Sequence, residues 1–222
     1  MPATVEHRAE LSRGTSGDAI YRAVAAALAA RDLGGSLLDV GCGRGELWPF
    51  VRPRFAAYAG ADVLRHDGFP ADAGFHPVNL DTGRVPLPDG AADVVAAVET
   101  IEHLENPRAF ARELTRLAKP GGWVVVTTPN QLSVLSKLGL WVKNEFPAFR
   151  GSNYPAHLTA LLETDLRRIA AECGWTDVAV AYTGHGRVPG TARHWPRWVS
   201  RLFPRALSDN VLVVGRKPAG VG

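Results

Sequence analysis

The sequence is poor in several things, and each shortage excludes something. It has two cysteines in 222 residues, Cys42 and Cys173, too few for a disulfide framework. Both are expected to be reduced, small and mostly buried. It has no apolar run approaching membrane-spanning length, and Met1 to Arg8 is polar, without the apolar core of a signal peptide. The expectation is a cytoplasmic protein. It has little net charge, +3, with a sequence pI near 9.1. That balance suits an anionic partner without requiring one, and no basic module is appended for nucleic acid. It has no internal repeat and no low-complexity stretch. What remains, 222 residues at 46% hydrophobic content, fits a single domain (1–222) with a good core, as monomer or homodimer.

Leu37-Leu38-Asp39-Val40 is an apolar run that stops at Gly41-Cys42-Gly43-Arg44-Gly45. The pattern is a buried strand, a tight turn and the start of a helix, the place where doubly wound α/β domains bind ligands. The ligand turns on Asp39. A dinucleotide fold sets pyrophosphate against such a turn, and a carboxylate two residues before the first glycine would repel it. The same carboxylate suits a ligand carrying an ammonium and a sulfonium, as S-adenosylmethionine does. With Asp39, Gly41, Gly43 and Gly45 in the pattern D-x-G-x-G-x-G, the sequence resembles the class I S-adenosylmethionine-dependent methyltransferases.

Further stretches repeat the likeness. Asp62 ends the second predicted strand, Phe55 to Val63, and lies 21 positions after Gly41. A fingerprint acid about 20 residues on takes ribose hydroxyls. Leu87 to Val95 and Lys119-Pro120-Gly121-Gly122, each leading into an apolar strand, also look like the family's. The resemblance implies an α/β fold: a doubly wound, seven-stranded, mostly parallel sheet with an antiparallel last strand. It places Asp39, Gly41, Cys42, Gly43, Asp62 and Glu99 about the cofactor, with Asp81 on the adenine amino group and Leu80 over its ring. Tyr21 and an N-terminal arm, residues 1–16, are expected to close over that site.

Helical periodicity is expected over Gly17 to Arg31, Asn106 to Ala118 and Glu163 to Cys173, and strands over 74–80, 92–98, 123–128, 175–182 and 210–215. Two stretches exceed a minimal domain. In 130–155, Leu132, Leu135, Leu138 and Trp141 suggest a helix over the acceptor pocket. In 184–208, tryptophans alternate with arginines, the pattern of a cover helix packed on the pocket or on a dimer partner, or of a membrane-surface contact.

Glu99-Thr100-Ile101-Glu102-His103 follows the fourth strand. Wound as a helix, it sets Glu99, Glu102 and His103 on one face. Two carboxylates and an imidazole can hold a divalent cation, with His157 from a later loop as fourth ligand. The segment resembles those of ubiquinone-pathway O-methyltransferases and small-RNA 2′-O-methyltransferases. That likeness implies a Mg²⁺ or Mn²⁺ site at Glu99, Glu102, His103 and His157. Such an ion would chelate vicinal oxygens and lower the pKa of the one methylated. Without a metal, His103 is the candidate general base beside Glu102. The expected activity is methyl transfer to a small-molecule acceptor, at a hydroxyl oxygen before nitrogen or carbon. The alternatives are RNA 2′-O-methylation and a non-catalytic nicotinamide- or nucleotide-binding module.

Overall fold

The computed structural model describes residues 14–220. Seven strands form one sheet in the order β3-β2-β1-β4-β5-β7-β6: β1 Gly35–Val40, β2 Phe55–Asp62, β3 Gly74–Pro77, β4 Ala92–Ala97, β5 Ala118–Pro129, β6 Thr176–Tyr182 and β7 Asn210–Arg216. β1 to β5 run parallel. β7 is antiparallel to both β5 and β6, between which it lies. This is the expected sheet, including its antiparallel strand. Strand order reverses between β1 and β4, so the chain leaves their carboxyl ends toward opposite sides and opens a crevice there.

Apolar side chains on the two faces of the sheet make two cores. One takes Val24 and Leu28 of the Asp18–Ala29 helix onto Leu37, Val94 and Leu212. The other takes Phe110, Leu114 and Leu117 of the Pro107–Leu117 helix, with Leu166 and Ile169 of Glu163–Glu172, onto Leu38, Val95 and Val126. Pro107 opens its helix where no amide is needed, and the Asn106 side chain accepts from Ala109 N at 2.9 Å. β4 is apolar on both sides because helices cover both.

Several boundaries differ from expectation. Lys119-Pro120-Gly121-Gly122 lies inside β5 as a bulge: Ala92 pairs with Ala118, yet Val94 already pairs with Trp123. Gly121, at φ +75°, gives its N–H to Lys217 O at 3.1 Å, so the residue just after β7 anchors the bulge from outside. β3 ends at Pro77 rather than near Leu80, with one further bond to β2 from Val78 N to Asp62 O at 2.9 Å. Cys42 is buried, whereas Cys173 is only half-buried.

Candidate active site

Beyond Val40 the chain bends back through the glycine turn. Gly41 sits at φ +78°, and a Cβ there would overlap Thr100; at Gly43, φ +50°, one would overlap the Gly14 carbonyl. Both positions require glycine for conformation and for room. Gly14 O accepts from Arg44 N at 3.0 Å. Ser16 N donates to the Tyr21 hydroxyl at 2.9 Å. Residues 14–16 of the expected arm therefore pack on the turn; residues 1–13 lie outside the described part. On the far side, Asp62 Oδ2 accepts from Gly43 N at 2.8 Å and Oδ1 from Val63 N at 2.7 Å. Asp62 thus braces the turn itself, and burial raises its pKa against those two bonds.

A cavity of about 320 Å³ opens at the carboxyl ends of β1 and β4, within the range of small-ligand sites. The eight residues that the resemblance placed about a cofactor line it, Asp39, Gly41, Cys42, Gly43, Asp62, Leu80, Asp81 and Glu99, and so does Tyr21. Glu102, His103 and His157 line it too.

Asp39 is 2% exposed. Its Oδ2 accepts from the Tyr58 hydroxyl at 2.9 Å, while Oδ1 is buried without a partner. Burial pushes its pKa up to about 7; the Tyr58 bond opposes this and Asp62 adds to it. An unpaired buried carboxylate is costly, and a cation entering the cavity would relieve that cost. Tyr58 was not anticipated from the sequence. It reaches Asp39 from the neighbouring strand and is held by stacking on Trp48, ring centroids 4.9 Å apart. Only the β1–β2 register brings the two together.

Glu99 departs from expectation. It lies at φ +50°, which breaks the run, and only the short 3₁₀ turn Ile101–His103 follows. Its carboxylate turns to the sheet: Oε1 accepts from Thr127 Oγ1 at 2.8 Å and Oε2 from Asn210 Nδ2 at 2.7 Å. Burial, and next the charge of Glu102, hold its pKa well above the usual range. Helical spacing therefore does not set Glu99 on one face with Glu102 and His103.

Three of them do meet. Ligand atoms of Glu102, His103 and His157 lie within 4.8 Å of one another. The backbone brings them together: Leu158 N and Thr159 N donate to Glu102 O at 2.9 and 3.0 Å. His103 Nδ1–H donates to Ala156 O at 2.7 Å, which makes Nε2 the ring's acceptor. The two imidazoles meet edge to face, centroids 4.7 Å apart. Glu102 Oε2 accepts from Thr128 Oγ1 at 3.1 Å, but Glu102 Oε1 and His157 Nδ1 are buried without partners. Burial pushes Glu102 up to about 8 and His157 down to about 4, the latter helped by His103.

Among the described residues, none of 130–155 or 184–208 lines the cavity. The Val134–Lys143 helix turns serines inward, with Ser136 Oγ donating to Asn130 O at 2.9 Å, and so sends Leu138 and Trp141 outward. The Arg197–Leu202 helix buries Ser200 and exposes Trp198.

Strand order, with a buried acid where a dinucleotide fold would receive phosphate, places the protein among the Rossmann-like methyltransferases. It is a member of the class I S-adenosylmethionine-dependent methyltransferase family, and residues 9–180 match the family's methyltransferase domain. The chain is 31% identical over 156 residues to a ubiquinone biosynthesis O-methyltransferase of Chromobacterium violaceum, covering 64% of each. It is 30% identical over 159 residues to an ajmaline N-methyltransferase of Rauvolfia serpentina, covering 61% of this chain and 54% of that one. It thus spans less than two thirds of either relative's length. Its fold is similar to that of an S-adenosylmethionine-dependent methyltransferase from Archaeoglobus fulgidus, with TM-score 0.62, 17% identity, and coverage of 96% and 100%. Among the described residues, no helix is long and apolar enough to cross a membrane.

Proposed function

We propose that the protein transfers a methyl group from S-adenosylmethionine to a hydroxyl oxygen of a small acceptor. One observation carries the reading: the buried Asp39 carboxylate, with one unpartnered oxygen, shares a cavity with the Glu102, His103 and His157 cluster. The acid suits the cationic donor, and the cluster suits the reacting hydroxyl. His103, oriented by Ala156 O, accepts the hydroxyl proton at Nε2. The oxygen attacks the methyl carbon, and the carbon–sulfur bond breaks in line, leaving its electron pair on sulfur. Holding donor and acceptor in that line supplies most of the acceleration. An oxygen acceptor is in keeping with the name of the Chromobacterium relative.

A second reading, a divalent cation held by Glu102, His103 and His157, is favoured by the two unpartnered buried atoms in that cluster. Bound there, Mg²⁺ or Mn²⁺ would lower the pKa of the acceptor hydroxyl. Glu99 is not among the proposed ligands, since Thr127 and Asn210 occupy its carboxylate.

The test is methyl transfer from labelled donor to a panel of catechols, phenols, sugars and amines, before and after dialysis against a strong chelator. The expected result is transfer to hydroxyls, with His103→Ala losing about 10²- to 10⁴-fold. Loss on dialysis and recovery with Mn²⁺ or Mg²⁺ supports the cation; turnover indifferent to the chelator supports the base. Exclusive methylation of amines would overturn the oxygen assignment.

A further inference from the structure

Residues 130–155 and 184–208 hold eight lysines and arginines and one acidic residue, Glu145. The whole chain has 25 basic and 22 acidic residues, so 17 basic and 21 acidic residues lie elsewhere. The net charge of +3 is thus +7 in these two segments and −4 outside them. The same segments carry nine of the ten exposed large apolar side chains among the described residues.

Both helices in these segments are amphipathic in the inverted sense. In Val134–Lys143, Leu138, Trp141 and Val142 follow helical i, i+3, i+4 spacing and face water, Trp141 at 84% exposure. In Arg197–Leu202, Trp198 (70% exposed) and Leu202 face water while Ser200 is fully buried. Lysines and arginines flank them: Lys137 and Lys143 on the first helix, Arg197 and Arg201 on the second. Isolated exposed apolar residues mean nothing, but their concentration beside one sign of charge does.

The two segments spring from one hub. Asn130 Nδ2 donates to Arg205 O at 2.7 Å and to Ser208 O at 2.8 Å, and Val134 N donates to Ala206 O at 2.8 Å. That hub adjoins the cavity: Pro129 at the end of β5 pairs with Asn210, and Asn210 bonds Glu99 in the cavity wall.

We propose that these two segments dock the protein on an anionic lipid bilayer. Tryptophan and aliphatic side chains enter the headgroup boundary while lysine and arginine stay with the phosphates, the division of labour of interfacial helices. Charge complementarity selects this occupant. A self-complementary contact between two copies would bring like charges together. A nucleic acid would satisfy the arginines and offer nothing to Leu138, Val142 and Leu202.

The experiment is co-sedimentation of the full chain with vesicles of phosphatidylcholine alone and of phosphatidylcholine mixed with phosphatidylglycerol, in the absence of any acceptor. Docking is thereby measured apart from methyl transfer. The expected result is pelleting with the mixed vesicles, little with the neutral ones, and release at about 0.5 M salt. Trp141→Ser with Trp198→Ser is expected to weaken partition at least about tenfold. Each of Arg197→Gln and Arg201→Gln is expected to weaken it about fivefold. These side chains are exposed, so melting temperature and donor affinity stay unchanged; should a variant misfold, the lipid and salt arms on the unaltered protein still decide. Equal pelleting with neutral vesicles, or none with either, overturns the proposal. So does an RNA oligonucleotide that strips the protein from mixed vesicles at equal charge. A dimer in sedimentation velocity that the tryptophan variants dissociate overturns it too.

Discussion

Asp39 lies deep enough to lose its charge easily and close enough to the cavity to need it. Its folded pKa, about 7 against an ordinary value of 3.8, sets the sign of two effects. Its stabilising contribution is full below the unfolded value and is lost as pH rises through the folded one. A cationic ligand reverses that loss, because it favours the ionised form. The affinity for S-adenosylmethionine is therefore expected to fall about tenfold per unit as pH drops below 7, measured by titration calorimetry from pH 5 to 8. Asp39→Asn should remove both the slope and most of the affinity. Tyr58→Phe deletes a bond that stabilises the carboxylate, so it should move the midpoint upward. A flat pH profile in the unaltered protein would contradict this account. The place of Asp39 in the cavity wall was legible because sequence alone showed an acid before a glycine turn. Tyr58 was not, because nothing local joins positions 39 and 58; the sheet register does.

Elements read from periodicity came through where the pattern was local. The Pro107–Leu117 helix shows a proline start, a side-chain cap and an apolar stripe, and all three are visible in the string of residues. Asn106→Ala should cost about 1 kcal/mol by removing that cap. Leu114→Ala, at the buried centre of the stripe, should cost about 3 kcal/mol. Urea denaturation of the two variants checks both. The segment 99–103 failed for an equally local reason: one residue in the left-handed region, Glu99, undoes a helical wheel drawn through it. In the two long segments the helix expected from Leu135, Leu138 and Trp141 is present, but its facing was not legible. Spacing identified an apolar stripe at Leu135, Leu138 and Trp141 but could not say whether anything covered it. Buried serines on the opposite side, held by backbone partners, decided the orientation.

At the scale of the whole molecule, the doubly wound order and the antiparallel strand were implied by the family resemblance rather than by periodicity, and the sheet follows it. Net charge alone was uninformative, because +3 is a sum of two opposed regions that only a count by segment separates. Occupancy of the cavity should be felt by the entire domain. S-adenosylhomocysteine at about 100 times its Kd contributes about 2.7 kcal/mol, which for a chain of this size raises Tm by roughly 5–10 °C. Nicotinamide dinucleotides should leave Tm unchanged. A shift with those dinucleotides, and none with the homocysteine compound, would favour the rival nucleotide-binding reading.

Asn210 reaches back across 111 positions to hold Glu99, and its strand slots between two that are already made. During synthesis the ribosome delivers the glycine turn early and this strand after every other. A nascent chain can therefore possess the glycine-turn half of its crevice while Glu99 in the opposite wall is held by Thr127 alone. A chain halted before Asn210 would lack the strand that closes the sheet between β5 and β6, and with it the second anchor of Glu99.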